Sequence, residues 1–83
     1  MQTELIPRDE KGRRHGLWVE RYITKNQIMS KGEYIHGKKH GTWIGYHKDG
    51  SIWYKDTYDI GKLIGYSVQY WDYKFIYKRF YAR

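Results

Sequence analysis

Two short segments, residues 12–16 and 37–41, each carry two basic residues and a histidine between glycines. Rows of cations can track phosphates, and backbone N–H groups of glycine turns can add anion donors. We therefore predict a basic edge that binds a partner or an anion; ordinary solvated turn residues are the alternative. The six side chains concerned are Arg13, Arg14, His15, Lys38, Lys39 and His40.

Aromatic residues interleaved with basic ones form a second candidate surface. Trp43 and Trp53 lie close in sequence to Lys55, and rings beside cations can stack with the bases of single-stranded nucleic acid. Aromatic pairs also stabilise sheets by cross-strand packing alone. The sequence leaves both interpretations open, and we include all three residues in the predicted binding site.

Catalytic and metal-binding patterns are missing from the sequence. His36 and His40 are four apart, but a glycine turn separates them, whereas that spacing converges on one metal ion when it lies on a helix. Asp56, Asp59 and Asp72 are scattered without a shared pocket. We predict that the chain is not an enzyme and uses neither metal nor cofactor.

The composition favours acidic partners and a cytoplasmic location. Sixteen Lys and Arg against nine Asp and Glu give a net charge of +7, which suits nucleic acid, anionic lipid or an acidic protein surface. There is no cysteine, the N-terminus lacks the apolar core of a signal peptide, and no stretch approaches the roughly 18 apolar residues of a membrane span. The cytoplasm, or the host cytoplasm if a phage encodes the protein, is the expected compartment.

A repeat of about 25 residues organises the chain. The frame Gly-basic-x-x-Gly begins at Gly12, Gly37 and Gly61, at intervals of 25 and 24 residues. Tyrosines and isoleucines recur downstream in the same register, except for one extra residue between Trp18 and Tyr22 that we assign to a β-bulge. We predict one domain, residues 1–83, with repeats at about 12–36, 37–60 and 61–83 after an N-terminal edge strand in residues 1–11.

Each repeat is predicted to form a β-hairpin, because runs of aromatic and β-branched residues alternate with Gly, Asn and Asp. The predicted fold is all-β: a single-layer, twisted antiparallel meander of about three stacked hairpins. Alternation predicts an apolar face with Tyr34, Ile44 and Tyr58, and places Trp43 on the opposite face. The predicted strands are 3–8, 17–23, 28–35, 42–47, 51–58, 66–71 and 75–81.

The segment from Gly37 to Tyr46, followed by Asp49-Gly50, resembles the MORN repeat, and the bacterial antitoxin-like variant in particular. The resemblance extends over about residues 12–70 and implies stacked hairpins that act as a scaffold or interaction module without catalysis. The third repeat departs from the pattern, since Leu63-Ile64 replaces basic-His and Ser67 replaces Trp, and we predict that it is a cap.

These observations predict a protein that acts by occupying another molecule. The first hypothesis is an inhibitor or antitoxin-like protein, of bacterial or phage origin, that binds and modulates a target protein. The second is binding of nucleic acid or anionic phospholipid through the basic edge. Association of two copies through the apolar face is a further possibility, because such a face is too apolar to stay in contact with water.

Overall fold

Six antiparallel strands account for most of the chain in the computed structural model, which describes residues 8–71 and 74–82. β1 and β2 form the first hairpin, β3 and β4 the second, and β5 and β6 the third. Their bounds are β1 Gly16–Arg21, β2 Ile28–Ile35, β3 Lys38–Tyr46, β4 Ile52–Asp59, β5 Lys62–Trp71 and β6 Lys74–Tyr81.

The strands pair in sequence order to form one open sheet, β1-β2-β3-β4-β5-β6. The molecule measures 40 × 37 × 11 Å, so it is one sheet thick. The predicted all-β antiparallel meander of hairpins is therefore confirmed. Of the predicted first strand, residues 3–8, only Arg8 lies within the described residues, where it forms an isolated bridge with Arg14.

The first glycine of each repeat frame occupies a turn with positive φ. Gly12, Gly37 and Gly61 have φ angles of 80°, 86° and 84°, a region that suits glycine because it has no Cβ. His36 and Ile60 also have positive φ, 45° and 43°, so each forms a two-residue turn with the glycine that follows.

Because these turns are so short, two strands begin earlier than predicted. β3 starts at residue 38 rather than 42, and β5 at residue 62 rather than 66. The basic residues Lys38, Lys39 and Lys62, expected in the turns that link the repeats, therefore lie within strands.

The second glycine of the frame marks a register shift between neighbouring hairpins. Gly41 and Gly65 have φ angles of 77° and 68°, and around each of them the later strand contains two residues more than its partner. The glycine frame thus encodes both a turn and an irregularity four residues later. Because the irregularity adds an even number of residues, side chains on either side of it, such as Lys39 and Trp43, still point to the same face.

A further bulge lies near the loop end of all three hairpins. In the first hairpin Glu20 pairs with Ser30 and Arg21 with Ile28, which leaves Met29 as the extra residue. Trp53 and Ile76 are the equivalent extra residues in the other two hairpins. The bulged residue thus lies in β2 and not between Trp18 and Tyr22, so the predicted bulge of the first repeat is wrong, and the observed bulge is common to all three hairpins. The additional residue of the first repeat lies instead in its loop, residues 22–27, which is one longer than 47–51.

The two-residue turns change the predicted faces of the sheet, because across them even-numbered residues pair with odd-numbered ones, as Tyr34 does with Lys39. Trp43 lies on the same face as Tyr34 and Tyr58, not opposite them, because Tyr34 contacts Trp43 and both Trp43 and Tyr58 contact Lys39. Ile44, which was placed with the tyrosines, pairs with Lys31 and Lys55 on the opposite face. We call the two surfaces the tryptophan face and the opposite face.

The core is a small layer on the tryptophan face. Trp18 and Trp43 are only 7% and 3% exposed, and Tyr34 makes edge-on contacts with both rings at centroid distances of 5.2 and 5.0 Å. The Trp43 ring lies directly on Gly32, where a Cβ atom would come within 2.1 Å of it. Glycine at this position lets the indole pack on the backbone.

Candidate functional site

Two of the six residues predicted for the basic edge, Arg14 and Lys39, hold their cations over aromatic rings of the tryptophan face. The Arg14 guanidinium lies 4.9 Å from the Trp18 ring and 5.5 Å from that of Tyr34. At the equivalent place in the second repeat, the Lys39 ammonium lies 4.8 Å from Trp43 and 5.4 Å from Tyr58. Cations held over two rings contribute to folding by cation–π attraction, so these two residues form an internal repeat contact.

The other basic residues remain exposed along the turn edge. The side chain of Arg13 lies against Gly37 and that of Lys38 against Gly61, each covering the turn of the next repeat. Lys62 is exposed at the corresponding place in the third repeat. In the structure, the name basic edge therefore applies to the exposed row Arg13, Lys38 and Lys62. Arg13 is paired with the Asp9 carboxylate at 2.7 Å.

His15 and His40 join consecutive repeats. The Nδ1 atom of His15 accepts the backbone N–H of His36 at 3.1 Å, and that of His40 accepts the N–H of Ile60 at 3.2 Å. The Arg14 carbonyl accepts the backbone N–H of Gly37 at 2.7 Å. In the second repeat the Lys39 carbonyl accepts that of Gly61 at the same distance. Each basic-His pair therefore caps the positive-φ turn of the following hairpin.

This role accounts for the departure of the third repeat from the frame. Ile64 stands at the histidine position there, and no further turn of the described sheet follows that would need an acceptor. Sequence reasoning assigned these histidines to a binding edge and missed the cap. The available signal was that histidine occurs in the two repeats that precede another repeat of the described sheet, whereas Ile64 stands at that position in the third.

Asp9 forms the most strongly hydrogen-bonded polar cluster at the turn edge. Its carboxylate accepts the Arg13 Nε–H and contacts His36 Nδ1, both at 2.7 Å, and it accepts the backbone N–H groups of Lys11 and Arg13 at 2.9 Å. Burial raises the pKa of this carboxyl, but the hydrogen bonds from His36, Arg13 and Lys11 outweigh it and bring the pKa well below its usual value. Asp9 is thus an ionised anchor for the first turn.

Of the three remaining predicted site residues, Trp43 contacts Lys39, whereas Trp53 contacts residues outside the basic edge and Lys55 lies beside a groove. Trp43 is buried, with its Nε1–H donated to the Glu33 carbonyl at 3.0 Å, so its ring is not presented for stacking. Trp53 contacts His47 and Trp71 near the loop ends of the hairpins. Lys55 is exposed beside a shallow groove of about 450 Å³ that also includes Ile52 and Tyr70.

The nine predicted residues therefore do not form one site. The structure brings together Arg14 with the Trp18 layer and Lys39 with Trp43, and each pair serves the fold. Among residues 8–71 and 74–82 no group of three or more His, Asp or Glu side chains is arranged to hold a metal ion. In the same residues, the structure has no helix with the length and apolar character to cross a membrane.

The third hairpin presents a surface that the sequence prediction missed. Tyr66, Phe75 and Phe80 are 52%, 57% and 61% exposed, and the structure places them on the opposite face. We call these three residues the hairpin-three patch. Tyr66 and Phe80 contact each other at 5.1 Å, and the Lys78 ammonium lies 4.3 Å from the Tyr66 ring. The patch thus combines adjacent aromatic rings with a positive charge.

The hairpin-three patch also makes the third repeat different from an ordinary terminal cap. Terminal repeats of stacked proteins normally present a polar outer face to water. Here the last strand exposes Phe75, Ile76 and Phe80 in addition to its three cations. The run of aromatic and basic residues from 74 to 81 is visible in the sequence, but its composition alone does not show that Phe75 and Phe80 are exposed.

Comparisons with protein-family models, with curated proteins and with solved structures gave no match.

Proposed function

We propose that the chain is a non-catalytic protein-binding module that holds its target through the hairpin-three patch. The observation that carries the proposal is the exposure of Tyr66, Phe75 and Phe80 on one face of a thin sheet. Aromatic side chains dominate the energetics of protein interfaces because they bury a large area with few rotatable bonds. Scattered apolar side chains are ordinary on a surface, but here Tyr66 contacts Phe80 and Phe75 contacts Tyr70 along one face of a single hairpin, and such a grouping indicates an interaction site.

The chemistry of the patch also indicates the character of the target. Lys74, Lys78 and Arg79 lie on the same strand as Phe75 and Phe80, and the chain as a whole carries a charge of +7. A target surface that combines apolar side chains with an acidic rim would complement it. By occupying such a surface the module would modulate or inhibit its target, in the manner of an antitoxin-like or phage-type inhibitor.

The resemblance to the MORN repeat stays a prediction, and it implies the same class of non-catalytic interaction module. The predicted cytoplasmic location is compatible with such a role. Nucleic acid or anionic lipid remains the rival class of partner. The basic edge offers that class the repeat-spaced cations Arg13, Lys38 and Lys62, of which Arg13 is paired with Asp9, while the cations of Arg14 and Lys39 lie over aromatic rings.

Affinity capture with matched variants tests the proposal. Immobilised wild-type protein is compared with the double variant Tyr66→Asp/Phe80→Asp in a lysate of the source cells. Leu17→Asp is the control, because Leu17 is 68% exposed on the same face at the other end of the sheet. We expect a protein that the wild type and the control retain in low and in high salt, and that the double variant loses.

Two further arms test the rival class of partner. Nuclease treatment of the lysate removes nucleic acid, and Lys38→Glu/Lys62→Glu reverses two charges of the basic edge. Capture that is abolished by nuclease, by raised salt or by the basic-edge variant, but not by the patch variant, would contradict the proposal. Steep salt dependence is the signature of phosphate binding, whereas an apolar interface responds little.

A further inference from the structure

The last strand of the sheet has one edge without a partner among the described residues. β6 extends over eight residues, Lys74–Tyr81, and the described sheet ends with it, since it pairs with β5 alone. In an antiparallel ladder alternate N–H and C=O groups of such a strand point away from the sheet. β6 therefore offers a row of backbone donors and acceptors that another extended segment can pair with.

Soluble proteins commonly protect an open edge by making it short or charged. β6 is long, and its charges accompany exposed apolar side chains at Phe75, Ile76 and Phe80. The cations of β6 therefore repel a second positively charged strand, while its apolar side chains can still contact a partner. This combination selects an occupant of opposite charge.

The cations of β6 are held on both faces of the sheet at adjacent positions. The Lys78 ammonium lies 4.3 Å from the Tyr66 ring on the opposite face. The Arg79 guanidinium lies 5.3 Å from the Tyr81 ring on the tryptophan face. A strand added beside β6 would meet these two charges with two consecutive residues, because neighbouring side chains of a strand point to opposite faces.

A second copy of the chain does not fit this edge. Hairpins of one chain are joined through a histidine that caps the following turn, and Ile64 stands at that position in the last repeat. Edge-to-edge pairing of two β6 strands would also bring together the strand's three cations, Lys74, Lys78 and Arg79, with those of the other copy. Like charges facing each other across strands are destabilising.

We propose that β6 accepts an extended acidic segment of the target protein as an additional antiparallel strand. This inference rests on the proposed function and specifies its mode: backbone pairing along β6, with the hairpin-three patch holding apolar side chains beside it. The segment carries two consecutive Asp or Glu residues, opposite Lys78 and Arg79, with apolar residues on either side.

A peptide titration followed by amide NMR tests the mode of binding. The probe is the capped peptide Thr-Val-Glu-Glu-Val-Thr, compared with Thr-Val-Lys-Lys-Val-Thr. We expect shifts concentrated in β6 and at least a tenfold weaker affinity for the lysine peptide, because like charges then face each other. Absence of binding by the glutamate peptide, or equal affinities, would overturn the proposal, since the cations of β6 would then only protect the edge.

Backbone methylation distinguishes strand addition from contact through side chains. Two further glutamate peptides carry N-methyl groups on alternate residues, one on the odd and one on the even positions. Only one set of N–H groups can point at β6, so we expect one peptide to lose at least tenfold in affinity while the other retains it. Any other pattern contradicts pairing along the strand.

The captured target separates this inference from the proposed function. Lys78→Glu/Arg79→Glu reverses the charges of the edge, and Lys11→Glu/Lys38→Glu, which alters two exposed lysines outside β5 and β6, is the control. Loss of the target with the edge variant, and not with the control, is expected. If the edge variant keeps the target while Tyr66→Asp/Phe80→Asp loses it, the module binds through the patch and strand addition is wrong.

Discussion

At the scale of single residues, His15 and His40 have the clearest structural role in the repeat. Each uses Nδ1 to accept a backbone N–H from a residue held at positive φ in the next turn. Ile60 is a β-branched residue in a conformation that such residues rarely adopt. The hydrogen bond therefore stabilises a turn whose own sequence disfavours it.

Replacement of this acceptor should weaken the fold. His40→Phe keeps an aromatic ring but leaves the Ile60 N–H without its partner, and we expect a loss of about 1 kcal/mol in the free energy of unfolding. For a chain of this size that corresponds to a fall of about 4–8 °C in the thermal midpoint. Ile64→Phe places the same ring at the equivalent position of the last repeat, where it should have a much smaller effect. Equal effects of the two substitutions would show that His40 does not cap the turn.

Asp9 should contribute to the pH dependence of folding. Because its folded-state pKa lies below the usual value of 3.8, the carboxylate stabilises the fold above that pH, and the contribution is lost as the pH falls towards the folded-state pKa. Urea unfolding of wild type and Asp9→Asn should therefore show a stability gap that is constant above pH ~4.5 and narrows below pH ~4. Glu10→Gln, which removes the neighbouring carboxylate, is the control. A gap that stays unchanged in acid would exclude this role.

At the scale of elements, neighbouring hairpins are joined at equivalent positions by different pairs of residues. Trp43 packs on Gly32 between the first and second hairpins. At the equivalent place between the second and third hairpins, Ser67 donates a hydrogen bond to Asp56 at 2.6 Å. Where serine replaces tryptophan in the third repeat, its partner on the neighbouring strand is therefore Asp56 and not a glycine.

The contact between Trp43 and Gly32 gives a direct test of this packing. Gly32→Ala should cost about 2 kcal/mol, because the new methyl group would enter the space of the indole ring and force it to move. In a Trp43→Leu background the smaller side chain leaves room, so the same change should cost far less. A double-mutant cycle in chemical denaturation measures this coupling. Additive effects would mean that the ring does not pack on Gly32.

Much of the architecture could be predicted at this scale. The repeat period, the three hairpins and the meander order follow from the glycine frame and the aromatic runs, and β2 begins and ends at the predicted residues. The faces could not be predicted, because they depend on the exact length of each turn as well as on each bulge, and no single residue type identifies the bulged residue. Met29, Trp53 and Ile76 share a position but little chemistry.

The candidate site was harder to predict for a related reason. Basic residues that alternate along a strand point to different faces, so Arg13 and Arg14 have different surroundings although they are neighbours. Only the structure shows that Arg14 is stacked between rings, and only exposure shows that Tyr66 and Phe80 lack cover. Sequence periodicity alone does not report burial in a sheet one layer thick.

At the scale of the whole molecule, the sheet is asymmetric along its strand order. The two well-buried tryptophans lie in β1 and β3, whereas the last hairpin carries the hairpin-three patch and an open edge. The first two hairpins thus serve as a folded support, and the third presents the side chains that we assign to target binding. Under the proposed function, the buried core and the binding surface therefore lie in different repeats.

Hydrogen exchange of the free protein and of its complex with the captured target tests the central claim most directly. In the free protein we expect amide protection to be highest in β2, β3 and β4 and lower in β1 and β6, each of which has one neighbour among the described strands. In the complex, protection should rise in β5 and β6 and stay unchanged at the turns of Gly12, Gly37 and Gly61. Protection that rises at those turns while β5 and β6 remain as in the free protein would contradict the account.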